Sequence, residues 1–261
     1  MKKFYLIYIT FLASFGFSCH GVDIASVIAL SKQNSLLNHS EVLANNISNA
    51  ETTGFKESRM IEREFKVGYN LSKYHDYVND ISTFKTLQNG DLRRTENPLD
   101  ISIIGEGFFM VSTKNGYKYT RAGNFTLNQN SELVTMEGYN VLNNSQTPIV
   151  FPQDVSEIII EEDGTIKADG VILDTIIVAT FDINALVQEG AQFFKDKNNA
   201  LPNIADPGIF KVAQGYLEGS NVNKIKQLTT LIEVQRDTSN VTNLLNTYDD
   251  LTRSVISKIN N

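Results

Sequence analysis

The chain has 261 residues, 41% of them hydrophobic, which is enough for a core in one domain or two and excludes a disordered tail. Its net charge of -7 gives no general attraction to nucleic acid or to an anionic membrane surface, so neither is expected as a partner. The single cysteine, Cys19, cannot build an intrachain disulfide framework, and the three histidines, His20, His39 and His75, lack ligand spacing, so no metal is expected.

Residues 1–21 read as a targeting segment or an extension. Met1-Lys2-Lys3 supplies positive charge, and Phe4 to Phe17 is an uncharged, largely apolar run too short to span a bilayer comfortably. A cleaved secretory signal is the direct reading, and a buried first helix is the alternative. Gly16-Phe17-Ser18 lacks the leucine that a lipoprotein signal ending at Cys19 usually carries. No stable transmembrane segment is expected.

Residues 22–55 are expected to form an N-terminal helix and its exit. Leu30, Leu37 and Ala44 lie on one heptad line, with Ala29, Leu36, Leu43, Ile47 and Ala50 close beside it. Asn45, Asn46 and Asn49 are poor helix formers, and amides at this density usually have hydrogen bonds to make. Gly54, after two β-branched threonines, is expected to stop the helix in the left-handed conformation, and Phe55 to anchor the departing chain.

Residues 56–83 mix charge, Tyr and a few apolar side chains without a clear period, and read as an extended connection. Residues 84–214 then show short apolar runs separated by turn dipeptides such as Asn89-Gly90, Asn115-Gly116 and Asp169-Gly170, the pattern of an antiparallel β domain. Val171 to Phe181 loads both faces with apolar residues and is expected as its most buried strand. Asn184 to Pro207 turns polar, and Phe210 to Gln214 is expected to return as a strand.

Residues 215–261 carry the longest unbroken period. Leu231, Val234, Thr238, Val241, Leu245, Tyr248, Thr252, Val255 and Ile259 are spaced alternately three and four apart, a heptad seam uninterrupted by Gly or Pro. A helix of about 50 Å cannot hide so long a seam against a small body, so it needs another helix or a copy of one. The fold class is therefore α+β: two terminal helices forming a coiled-coil-like assembly part around a central, mainly antiparallel β domain.

Chemistry has little support in the pattern. Gly105-Glu106-Gly107 sits between two strands rather than before a helix, which removes the phosphate-cradling geometry. The sequence contains no P-loop, GxSxG elbow, HExxH pair or CxxC. No catalytic residue, cofactor or small-molecule substrate is assigned. A secreted β-rich binding module is the competing class, and it predicts an exposed aromatic cluster among Tyr69, Tyr74, Tyr77, Tyr117 and Tyr119.

Four motifs carry a resemblance. Ala44-Asn45-Asn46-Ile47-Ser48-Asn49-Ala50 with Thr52-Thr53-Gly54-Phe55-Lys56 resembles the N-terminal signature of bacterial flagellar rod and hook proteins. Asn97-Pro98-Leu99-Asp100-Ile101 with Gly105-Glu106-Gly107-Phe108-Phe109, then Tyr119-Thr120-Arg121-Ala122-Gly123-Asn124-Phe125, then Leu217-Glu218-Gly219-Ser220-Asn221-Val222-Asn223 follow in the family's order. The short segment between Phe55 and Phe84 resembles the proximal-rod branch, with the distal-rod branch next. Arg236-Asp237-Thr238-Ser239 departs from the family in lacking an aromatic after the arginine, and residues 1–21 precede the family's usual start, which Val22 resembles.

The resemblance implies a polymerising axial subunit of the periplasmic rod, exported by the flagellar export apparatus. Its partners would be copies of itself and other rod proteins. The assembly residues expected are Leu37, Ala44 and Ile47 on the first helix, Asn45, Asn46 and Asn49 as register-fixing amides, and Gly54 and Phe55 at its exit. Ser220, Asn221, Val222 and Asn223 would open the last helix, and Leu231, Val234, Val241, Leu245, Tyr248 and Val255 would form its seam.

Overall fold

The computed structural model describes residues 24–68, 74–181, 185–198, 202–206 and 208–259, so the signal-like segment lies outside the described residues. Two helices, α1 (Ile24–Ser48) and α2 (Lys224–Ile259), flank a chain of strands. The fold is α+β. The chain divides into two compact units: one takes its described residues up to Leu37, between Glu62 and Ile81, and from Asp237 onward, and the other takes Asn38–Ile61 and Ser82–Arg236.

α1 stops at Ser48 because its side chains compete for the last carbonyls. Ser48 Oγ and Asn49 Nδ2 both donate to the Asn45 carbonyl oxygen at 2.9 Å. The helix therefore ends six residues before the expected stop at Gly54, and Gly54 belongs to a later turn. α2 starts where Asn223 Oδ1 accepts the Lys226 amide at 3.0 Å, an N-cap bond.

Residues 56–83, expected as an extended connection, contribute the strands Ser58–Gly68 and Tyr74–Lys85, which pair as a two-stranded sheet. The larger unit holds a nine-stranded antiparallel sheet. Within it, strand Phe108–Thr113 is buried on both faces: Phe109 and Val111 join one apolar cluster with Ile101, Ile103 and Phe125, while Phe108 and Met110 join a second with Tyr119 and Phe194. Strand Ile101–Gly105 pairs antiparallel with Phe210–Gln214, the expected returning strand, and Leu92–Arg94 pairs with Tyr216–Glu218.

Val171 to Phe181 is not one buried strand. Val171–Thr175 is the edge of a three-stranded sheet, and after Ile176 and Ile177 the strand Val178–Thr180 enters the nine-stranded sheet. Asp169 and Gly170, both at positive φ, form the turn that starts the first piece. The polar stretch before Pro207 conceals the strand Phe193–Asp196, whose two aromatics are buried.

In the smaller unit, Gln33 Nε2 donates to Thr242 Oγ1 at 3.3 Å, and Lys32 and Ser35 both reach Glu62. Leu36 is its buried apolar residue on α1.

Candidate functional site

Within the larger unit, three distant pieces of chain meet where the helices join the β domain. Phe55 and Lys56 leave the turn after α1, Arg121 follows strand Gly116–Thr120, and Glu218 ends strand Tyr216–Glu218. Glu218 is fully buried and accepts on both oxygens: Lys56 Nζ at 2.5 Å on Oε1 and Arg121 Nη1 at 3.2 Å on Oε2. The Gly90 amide also donates to Oε1, at 3.0 Å, the third bond to this carboxylate. The cations also donate to backbone carbonyls, Lys56 to Gln88 and Arg121 to Ile103 and Gly105. Burial lowers the Lys56 and Arg121 pKa values, and the Glu218 carboxylate counters that shift at both. A buried pair of this kind persists only when most of its residual polar groups are also bonded; here Arg121 Nε is the buried donor left without a partner among the described residues.

Backbone contact is equally close. Gly54, at φ +69°, donates its amide to the Glu218 carbonyl oxygen at 2.8 Å. A Cβ on Gly54 would stand 2.4 Å from the Ala122 nitrogen, so no side chain fits without moving the β domain backbone. Gly123 is tighter still, with a Cβ placed 1.6 Å from the Ile101 carbonyl oxygen. Phe55 is buried beneath the Lys85 ammonium, 4.9 Å from its ring centroid. Burial pulls Lys85 down to about 8, while its nitrogen donates to the Lys56 carbonyl oxygen and to Ser58 Oγ.

A set of amides stitches both helices to this point. Asn221 Oδ1 accepts the Glu57 amide at 2.7 Å, and its Nδ2 donates to the carbonyls of Thr86 and Gln88, both at 2.9 Å. Asn46, on α1, pairs with the Ser58 backbone through both ends of its amide and reaches Gln227 of α2 at 3.3 Å. Gln227 in turn donates to Glu57 at 2.7 Å, and Arg59 holds the other Glu57 oxygen at 2.9 Å. The result is a fixed joint with nearly every polar atom bonded.

The structure gathers some expected residues here and disperses others. Asn46, Gly54, Phe55 and Asn221 lie in the joint, Asn223 caps α2, and Ser220 Oγ accepts the Val222 amide. Asn49 serves the turn after α1, accepting from Thr52 Oγ1, and Asn45 is exposed. Leu36 and Leu43 form the inward line of α1, whereas Leu37 and Ala44 face outward and Ile47 is intermediate. On α2, Val234 is buried, Leu231, Val241, Leu245 and Tyr248 are half-buried, and every described position from Asp249 to Lys258 is exposed, Val255 included. Lys56, Arg121 and Glu218 stood inside the quoted motifs without an assigned role; Glu57, Lys85 and Gln227 carried no signal at all.

Of the five tyrosines that the competing reading names, Tyr117 and Tyr119 have described side chains. Tyr119 is buried with its ring 4.3 Å from that of Phe181, Tyr117 is exposed, and the side chains of Tyr69, Tyr74 and Tyr77 lie outside the described residues. Among the described residues no helix is long and apolar enough to cross a membrane.

Comparison with known proteins decides the family. Residues 28–56 match the flagella basal body rod protein family, residues 102–168 the flagellar hook protein FlgE/F/G D1 domain, and residues 213–258 the flagellar basal body rod FlgEFG protein C-terminal region. The flagellar basal-body rod protein FlgF of Caulobacter vibrioides is 31% identical over 244 residues, covering 91% of this chain and 98% of that protein. The chain belongs to the flagellar basal-body rod protein family. FlgF of Rhizobium meliloti is 33% identical, covering 84% of this chain and 90% of its own length. FlgG of Agrobacterium fabrum is 32% identical, covering 90% and 98%. Membership makes the chain a structural subunit of the rod in the flagellar basal body. Each of the three matched regions also supplies one charge of the buried triad: Lys56, Arg121 and Glu218.

Proposed function

We propose that this rod subunit belongs to the proximal rod and polymerises axially through the outward faces of α1 and α2, carrying torque toward the hook and filament. The supporting observation is the apolar surface left open on both helices: Leu30 and Leu37 on α1, and Leu244, Leu251, Val255 and Ile256 on α2, at 48% to 60% exposure. Solvated apolar residues at this density on a long helix gain about 25 cal/mol per Å² when a neighbour covers them. The buried joint would then transmit load, because torque delivered to the helices must pass to the β domain without slippage. Export by the flagellar apparatus suits such a chain, since helices that find partners only on arrival stay marginal beforehand.

The test is genetic and structural. Deleting the gene in its own bacterium should leave basal bodies whose rods are missing or short in electron micrographs, and the wild-type gene should restore them. Leu251→Asp with Val255→Asp should fail to restore them although the purified subunit folds normally. Full-length rods from that double variant would overturn the helix-face reading. The FlgG relatives of similar identity favour distal rod as the second reading, and the position of a labelled subunit along the rod separates the two.

A further inference from the structure

Residues 158–175 form a three-stranded sheet that keeps one face in the core and turns the other outward. Ile160 and Ile166 face in and belong to the main apolar cluster. Ile159 pairs with Lys167 and Lys167 with Ile172, so these three make a row across the outer face. Ile172 is 66% exposed and Val171, at the hairpin tip, is 70% exposed. Among the described strands Val171–Thr175 pairs only with Thr165–Ala168; its other edge is taken at the far end, where the Thr175 carbonyl accepts the Asn144 amide at 3.1 Å, and is open from Val171 to Leu173. Open apolar edges are sites of strand or side-chain docking unless charge guards them.

The charge here is one-sided. Between Asp154 and Asp174 the sequence holds seven carboxylates against the single cation Lys167. Glu161 is paired with Lys167, Glu162 with Lys211, and the half-buried Asp174 accepts from Asn143, which leaves Asp154, Glu157, Asp163 and Asp169 as an exposed acidic rim. The same unit carries the complementary element. Leu92–Arg94 is exposed at every position, pairs among the described residues on one side only, with Tyr216–Glu218, and holds the only adjacent basic pair in the sequence besides Lys2-Lys3. Arg94 has only an exposed contact to Glu96 at 3.6 Å, which binds it weakly.

We infer that the outer face at Ile159, Ile172 and Val171 docks the Leu92-Arg93-Arg94 strand of a second copy of this chain, with the apolar residues meeting Leu92 and the acidic rim meeting the two arginines. The inference rests on the reading of the chain as a self-assembling subunit and adds a β-domain contact to the helical one. The two patches are different surfaces, so the contact is heterologous and propagates as an open polymer rather than closing as a two-fold dimer. Charge complementarity of this type sets partner choice and register and makes association salt-dependent.

The experiment uses the full chain with Cys19→Ser, under conditions where the parent sediments as polymer. Ile172→Cys and Leu92→Cys subunits are mixed and oxidised. A disulfide between positions 172 and 92 in the mixture, and not in either variant alone, is expected. Arg93→Glu with Arg94→Glu should weaken association at least tenfold, and adding Glu157→Lys and Asp163→Lys to that chain should restore it. Linkage of 172 to 172 in the single variant, or polymer that sediments without the 172–92 product, would overturn the inference and leave helix-driven assembly standing. Failure of the parent chain to polymerise at all, alone or with other rod subunits, would overturn the assembly reading with it.

Discussion

Glu218 concentrates the energetics of the joint in one side chain, because two buried cations depend on its single negative charge. Removing one partner of a buried ion pair is far costlier than the pair's net worth, since a charge is left without compensation. Glu218→Gln should therefore cost about 3–5 kcal/mol in urea unfolding of the purified chain, with loss of the ordered joint. A cost near that of an ordinary surface substitution would mean that Lys56 and Arg121 are compensated elsewhere. Lys85 gives a pH signature at the same place. Its folded pKa, about 8, lies below its ordinary value, so the unfolded chain binds more protons between pH 8 and 10.5 and the Lys85 contribution to stability rises with pH across that window. Comparison of wild type with Lys85→Met should show the difference changing in that direction above pH 8 and flat below it. Asparagine chemistry was legible at this scale only as a demand for hydrogen bonds. That Asn46 would spend its amide on Ser58 and Gln227 follows from partners up to 181 positions away, which no local pattern contains.

At the scale of elements, both terminal helices were legible from period and the absence of breakers. The buried line of α1 was not. Leu30, Leu37 and Ala44 lie one residue from Ala29, Leu36 and Leu43, and an apolar arc wide enough to hold both lines does not say which faces inward. The hairpin of residues 58–85 escaped because a two-stranded sheet imposes alternation only where one face is buried. The β domain was legible through its turn dipeptides, but the split of Val171 to Phe181 depends on which sheet each half joins. For α2 the burial gradient makes a sharp prediction. Val234→Asp places a charge at a buried position and should destabilise the chain by roughly 3 kcal/mol or more, whereas Leu251→Asp, at an exposed one, should change its melting temperature little. Thermal unfolding of the two variants checks this directly. Equal losses would mean that the far end of α2 is covered within the monomer.

At the scale of the whole molecule, the proposed function assigns the outer faces of the helices to neighbouring subunits and the buried joint to load. The family's three matched regions are far apart in sequence and meet at one buried charge cluster, which explains why the motifs surround turns and glycines rather than a catalytic constellation. Gly54 and Gly123 belong to that logic, since each lies where two backbones pass too closely for a side chain. In the proposed function, the bonded joint and the solvent-exposed helix faces answer different needs of an axial subunit: one would pass load, the other would make contacts. The central claim is best tested by hydrogen exchange of the full chain, first as a dilute monomer and then assembled with itself or other rod subunits. Amides of residues 54–57 and 218–221 should be protected in both states, and those of α2 beyond Tyr248 should exchange quickly alone and slowly once assembled. A chain protected from end to end as a monomer, with no change on association, would contradict the account.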